Sequence, residues 1–105
     1  MEPFYGIRLA DAESLDDPKS VLEKIIGNVK IAYQNGYING DLNEYNIMVN
    51  NDNILILDWP QAIRVDTINA NAVLMRDVKN ILKFFSKKYK IERDSGNTII
   101  YIKGI

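Results

Sequence analysis

Three polar residues stand out by type and spacing. Asp41 and Asn46 lie five residues apart in the stretch 37–46, and Asp58 closes the apolar run Ile54-Leu55-Ile56-Leu57. The chain has no histidine and no cysteine, so imidazole and thiolate chemistry, disulfides and nitrogen or sulfur metal sites are excluded. Carboxylates, amides, hydroxyls, lysines and arginines remain. A hard divalent cation takes oxygen ligands, commonly one or two carboxylates completed by phosphate oxygens and water. Asn46 and Asp58 offer such oxygens. Asp41 is then free to orient a hydroxyl or water and accept its proton. Asp and Asn also cap ordinary turns, so the case for chemistry depends on the elements that bring these residues together.

Those elements are legible in outline. Residues 1–15 read as a short extended piece and a loop. Asp16-Asp17-Pro18 reads as a helix start, with an aspartate cap and proline in the first turn. Val21, Leu22, Ile25, Ile26, Val29 and Ala32 follow at helical spacing, and Asn35-Gly36 ends the pattern. A helix over 18–35 is expected. Gly27 in its middle costs roughly 1 kcal/mol relative to alanine, which suggests close packing there. Ile47-Met48-Val49 and Ile54-Leu55-Ile56-Leu57 flank the turn-rich Asn50-Asn51-Asp52-Asn53, the pattern of a β-hairpin. A tight hairpin brings the ends away from its turn together, so Asn46 and Asp58 meet, with Asp41 beside them. Residues 61–68 are expected to be a loop and 69–89 a second helix. A terminal hairpin is expected around Asp94-Ser95-Gly96-Asn97.

An aspartate and an asparagine at D-x-x-x-x-N spacing, followed by strand, turn, strand and aspartate, form the catalytic-loop pattern of protein kinases. Gly40-Asp41-Leu42-Asn43-Glu44-Tyr45-Asn46-Ile47 resembles, more narrowly, the H-G-D-L-[SN]-E-[FY]-N-I loop of the RIO family of atypical serine/threonine kinases. Leu57-Asp58-Trp59-Pro60-Gln61 resembles that family's metal-binding I-D-[FW]-P-Q segment, in the form of its second subfamily. Asn69-Ala70 with Arg76-Asp77-Val78 resembles its N-A-x5-R-D-V segment, and Met1-Glu2 with Gly6 loosely resembles its hinge.

The resemblance implies an α+β fold like a kinase C-lobe, mainly helical with a small antiparallel hairpin. It implies Asp41 as the catalytic aspartate, Asn46 and Asp58 as ligands of Mg2+ (or Mn2+), and Glu2, Asn46 and Asp58 as nucleotide-binding positions. Asp58 is also where the family forms an aspartyl-phosphate. ATP is the implied substrate, maturation of the small ribosomal subunit the implied setting, and the pre-small-subunit particle the implied partner. Asn39 departs from the pattern, which has histidine before the Gly-Asp.

The 105 residues suit one domain, 1–105, and 47% hydrophobic residues suffice for a core. Thirteen basic and fourteen acidic residues argue against a nucleic-acid surface spread over the whole domain. No apolar run approaches ~20 residues, so a cytoplasmic location without membrane contact is expected. The six glycines make no glycine-rich phosphate loop, and no lysine precedes Lys19. A nucleotide-clamping lobe is therefore expected before Met1 or on a separate chain. Without it, the lobe reads alternatively as a binding or scaffold module; another small atypical kinase, the Bud-type tRNA-modification kinase, shares the G-D-L-x-x-x-N loop. Met75, Phe84 and Phe85 read as packing residues. Lys83, Lys87, Lys88, Lys90 and Arg93 read as a solvated helix end or as a contact for RNA phosphates. Arg76 and Asp77 read as a surface pair or a brace for the catalytic loop.

Overall fold

A computed structural model describes residues 6–57 and 62–105 of the chain. Of the expected site residues, Glu2 and Asp58 lie outside the described residues. The fold is α+β; the described residues hold three α-helices, a short 3-10 turn at Leu9–Asp11 and two small antiparallel sheets.

Helix α1, Pro18–Gln34, starts as its sequence dictates: the Asp17 carboxylate accepts the Ser20 N–H at 3.1 Å, satisfying one of the free donors of the first turn. It ends where Gly36 takes φ +96°, a left-handed conformation that favours a residue without Cβ. Val21, Leu22, Ile25, Ile26 and Val29 form its buried stripe. The expectation of close packing at Gly27 is not met: a methyl group placed there meets no atom within 4 Å.

Strands β1 (Ile7–Arg8), β3 (Ile47–Asn50) and β4 (Asn53–Ile56) form one sheet in the order β1-β3-β4. The β3–β4 hairpin pairs Ile47 with Ile56 and Asn50 with Asn53. Its turn places Asn51 at φ 56°, which asparagine tolerates better than most residues. Ile47, Val49 and Ile56 point into the core.

The second sheet was not expected. Strand β2 (Tyr37–Ile38) pairs with β5 (Ile63–Arg64), inside the stretch 61–68 read as a loop. Two-residue strands are too short to show alternation, and their partners, Arg64 for Tyr37 and Ile63 for Ile38, lie far away in sequence. Their placement matters, because β2 runs directly into Asn39-Gly40-Asp41.

Helix α2, Ala70–Tyr89, matches its expected span and ends at Lys90, φ 59°. Phe85 is fully buried, while Phe84 and Met75 are half-buried.

The tail corrects the sequence reading. Residues Ser95–Lys103 form helix α3, not the second strand of a hairpin. Asp94-Ser95-Gly96-Asn97 is a helix start: the Asp94 carboxylate accepts the Asn97 N–H at 2.7 Å. The β-branched run Thr98-Ile99-Ile100 favours a strand intrinsically, but tertiary contacts override that preference. Thr98 and Ile102, four residues apart, are both fully buried on one face. Lys30 of α1 donates to the Tyr101 carbonyl at 2.8 Å, and Arg93 pairs with Glu23, tying the tail to α1.

Because nothing touches a Cβ at Gly27, Gly27→Ala is expected to stabilise the fold by about 1 kcal/mol. Urea denaturation checks this; a loss of stability would show that the site is crowded.

Candidate catalytic loop

The loop between β2 and β3 carries Asp41 and Asn46, and Leu42 between them is fully buried, pinning the loop to the core. The two predicted site residues are brought into direct contact. Asn46 Nδ2 donates to Asp41 Oδ2 at 3.0 Å and to the Asp41 carbonyl at 2.8 Å. Asn43, which the sequence reading did not single out, donates from Nδ2 to Asp41 Oδ1 at 3.2 Å and to the same carbonyl at 3.1 Å. Each carboxylate oxygen of Asp41 is thus held by one amide. Asn43 is recognisable only in the fold: an asparagine two residues after an aspartate reads in a sequence as turn chemistry, and its Oδ1 does accept the Tyr45 N–H at 2.8 Å.

The open end of the hairpin closes as expected. Leu57 N donates to the Asn46 carbonyl at 2.7 Å, so Asn46 touches the residue that precedes Asp58 in sequence.

Asn39 spans the same gap from the other side. Its Nδ2 donates to the Leu57 carbonyl at 3.0 Å, and its Oδ1 accepts the Asp41 N–H at 3.0 Å. It is buried, 3% exposed. Asn39 therefore supplies a donor and an acceptor that link the loop to the residue after β4. An amide does so without a charge change near neutral pH, where an imidazole titrates.

The brace comes from α2. Asp77 is 1% exposed; its Oδ2 accepts the Gly40 N–H at 2.7 Å, and its Oδ1 accepts the Leu42 N–H at 3.3 Å. Arg76, one position earlier, donates to the Gly40 carbonyl. Gly40 is thus held at both its N–H and its carbonyl, at φ 87°. Of the two readings of Arg76-Asp77, the structure selects the brace.

Burial raises the Asp77 pKa from its ordinary 3.8, and this outweighs the opposing effects of the Gly40 and Leu42 N–H groups and of Arg76; the Asp41 charge adds to the rise.

Such a loop, leading into a tight hairpin and braced from the next long helix, places the chain among protein-kinase-like folds. Residues 2–97 match the RIO domain family, and the chain belongs to that family. It is 42% identical over 94 residues to the RIO-type serine/threonine-protein kinase Rio2 of Methanocaldococcus jannaschii, covering 89% of this chain and 34% of that protein. It is 30% identical over 98 residues to the serine/threonine-protein kinase rio2 of Schizosaccharomyces pombe, covering 92% and 28%. The crystal structure of the Rio2 kinase of Chaetomium thermophilum, an ADP/Mg2+-phosphoaspartate complex, superposes with a TM-score of 0.79 at 24% identity, covering 93% of this chain and 34% of that one. The chain thus spans about a third of the length of these proteins.

Asp77→Asn replaces one carboxylate oxygen by an NH2 group facing a backbone N–H. The expected cost is about 1–3 kcal/mol at pH 7. The variant is also expected to lose a pH dependence. A carboxyl with a raised folded pKa binds its proton more tightly folded than unfolded. Its contribution to stability is full below 3.8 and falls as pH rises through the folded value. Denaturation of both proteins across pH 3–8 checks this; parallel profiles would contradict it.

Proposed function

We propose that this chain is the catalytic-loop lobe of a RIO-type kinase of the second subfamily, transferring the γ-phosphate of ATP with Mg2+. The observation that carries this reading is the Asp41 carboxylate fixed by the Asn43 and Asn46 amides on a loop braced by Asp77.

Asp41 is the group that receives the acceptor hydroxyl. As the acceptor oxygen bonds to the γ-phosphorus and the bond to the ADP oxygen breaks, the hydroxyl proton passes to Asp41. The two amides hold the carboxylate in place beforehand, which is the positioning that makes phosphoryl transfer fast.

The donor set fits a magnesium ion. Asn46 commits its Nδ2 to Asp41, so its Oδ1 remains as a neutral oxygen ligand. Asp58, next in sequence to the tethered Leu57, supplies the carboxylate. Bound there, the cation neutralises charge on the transferring phosphate. The Chaetomium protein's ADP/Mg2+-phosphoaspartate state supports assigning the phosphorylated aspartate to Asp58. Glu2 is assigned to the nucleotide from the hinge. A nucleotide-clamping lobe carrying a glycine-rich loop and a lysine completes the site. Maturation of the small ribosomal subunit, in the cytoplasm, is the setting we assign. Among the described residues, no helix is long and apolar enough to cross a membrane.

The test joins this chain to a RIO-type nucleotide lobe and follows γ-phosphate transfer from ATP. Asp41→Asn is expected to slow transfer by about 100-fold or more while Mg-ATP binding, read by calorimetry, changes little. Asp58→Ala is expected to remove magnesium-dependent binding. Transfer at the normal rate in Asp41→Asn would overturn the assignment.

A further inference from the structure

The five-residue basic cluster near the end of α2 does not act as one surface. Lys88 donates to the Ala12 carbonyl, Lys90 to the Lys87 carbonyl, and Arg93 is held by Glu23 and Thr98. Lys83 and Lys87 differ: both are exposed, and neither ammonium has a partner among the described residues. They lie four residues apart on α2, one turn along the same face.

That face lines a groove of about 660 Å3 whose opposite wall is the catalytic loop itself. Asn43, Glu44 and Tyr45 form the loop side, and Lys83, Phe84 and Lys87 the helix side. Asn43 is shared: the side chain that lines the groove also donates to Asp41 Oδ1 at 3.2 Å. Asp41 does not itself line the groove; Asn43 connects the groove to the carboxylate assigned to receive the acceptor hydroxyl.

We propose that this groove holds the acceptor segment, and that it selects a peptide whose serine is flanked by acidic residues. This rests on the catalytic reading of Asp41 and deepens it. With the serine hydroxyl at Asp41, the neighbouring residues run along α2, where Lys83 and Lys87 pair with carboxylates. Tyr45 and Phe84 supply the apolar contact for the peptide's backbone and aliphatic stems. Glu44 repels an acidic side chain placed on the loop side, which confines the acidic residues to the helix side. A peptide suits the groove better than RNA. Two free ammonium groups match two carboxylates, whereas phosphate-driven binding commonly rests on about 6–10 contacts, and the chain as a whole carries a formal charge of -1.

The experiment is fluorescence anisotropy of the chain with a fluorescein-labelled peptide containing one serine followed by glutamates, in the absence of nucleotide. Saturable binding is expected below about 1 mM, weakening as salt rises from about 0.05 to 0.5 M. The Lys83→Glu/Lys87→Glu double variant is expected to bind at least about tenfold more weakly. Lys79→Glu, an exposed reversal on α2 outside the groove, is expected to bind within about twofold of the unaltered chain. Circular dichroism confirms that both variants are folded. No saturable binding, equal losses in Lys79→Glu, or tighter binding of an oligouridylate than of the peptide would each overturn the proposal. Because nucleotide is absent, peptide binding that depends on Lys83 and Lys87 in a protein that transfers no phosphate would sustain the groove and overturn only the catalytic reading.

Discussion

The site depends on one buried carboxylate. Asp77 leaves water almost completely, and such a burial is costly unless the charge is answered by donors. Here the donors are the Gly40 and Leu42 backbone N–H groups, with Arg76 beside them on the Gly40 carbonyl. The price of burial is thereby converted into geometry. The arrangement that satisfies Asp77 here also sets the backbone on either side of Asp41. Moving the loop would strand a charge in the core, which is a steeper penalty than breaking an exposed hydrogen bond.

The amides refine what the carboxylate fixes. Asn39 ties the loop to the end of β4, Asn43 and Asn46 grip the Asp41 carboxylate, and the β2–β5 pair anchors the approach. The Asn39 bond and the β2–β5 pair link segments distant in sequence, whereas the Asn43 and Asn46 contacts are local to the loop, and the groups donating to Asp41 are uncharged amides. The loop's internal geometry is therefore insensitive to pH near neutrality, and its one titrating support is Asp77. Asn39 supplies both a donor and an acceptor from a side chain that carries no titrating charge.

The sequence made much of this legible, for identifiable reasons. Helix α1 announced itself through Asp17, Pro18 and Gly36, because capping chemistry is local. The β3–β4 hairpin was legible from its apolar runs and its turn, and the meeting of Asp41 with Asn46 followed from it. What stayed hidden depended on distant partners. The β2–β5 pair joins two dipeptides, and the brace role of Asp77 needs the Gly40 N–H to be seen. The tail reads as a hairpin because Asp94 can begin a turn or cap a helix, and the decision rests on the burial of Thr98 and Ile102 as α3 packs on α1 and α2. Gly27 was misread in the opposite sense: glycine in a helix invites a packing explanation, and the structure provides open space instead.

The central claim is that Asp77 holds the loop in its working shape, and amide hydrogen exchange addresses it directly. The Gly40 and Leu42 amides are expected to be protected in the unaltered protein. In Asp77→Asn they are expected to exchange at least about tenfold faster, while amides in the middle of α1, such as Ile25, keep their protection. Unchanged exchange at Gly40 and Leu42 in the variant would contradict the account, since the loop would then hold its shape without the carboxylate.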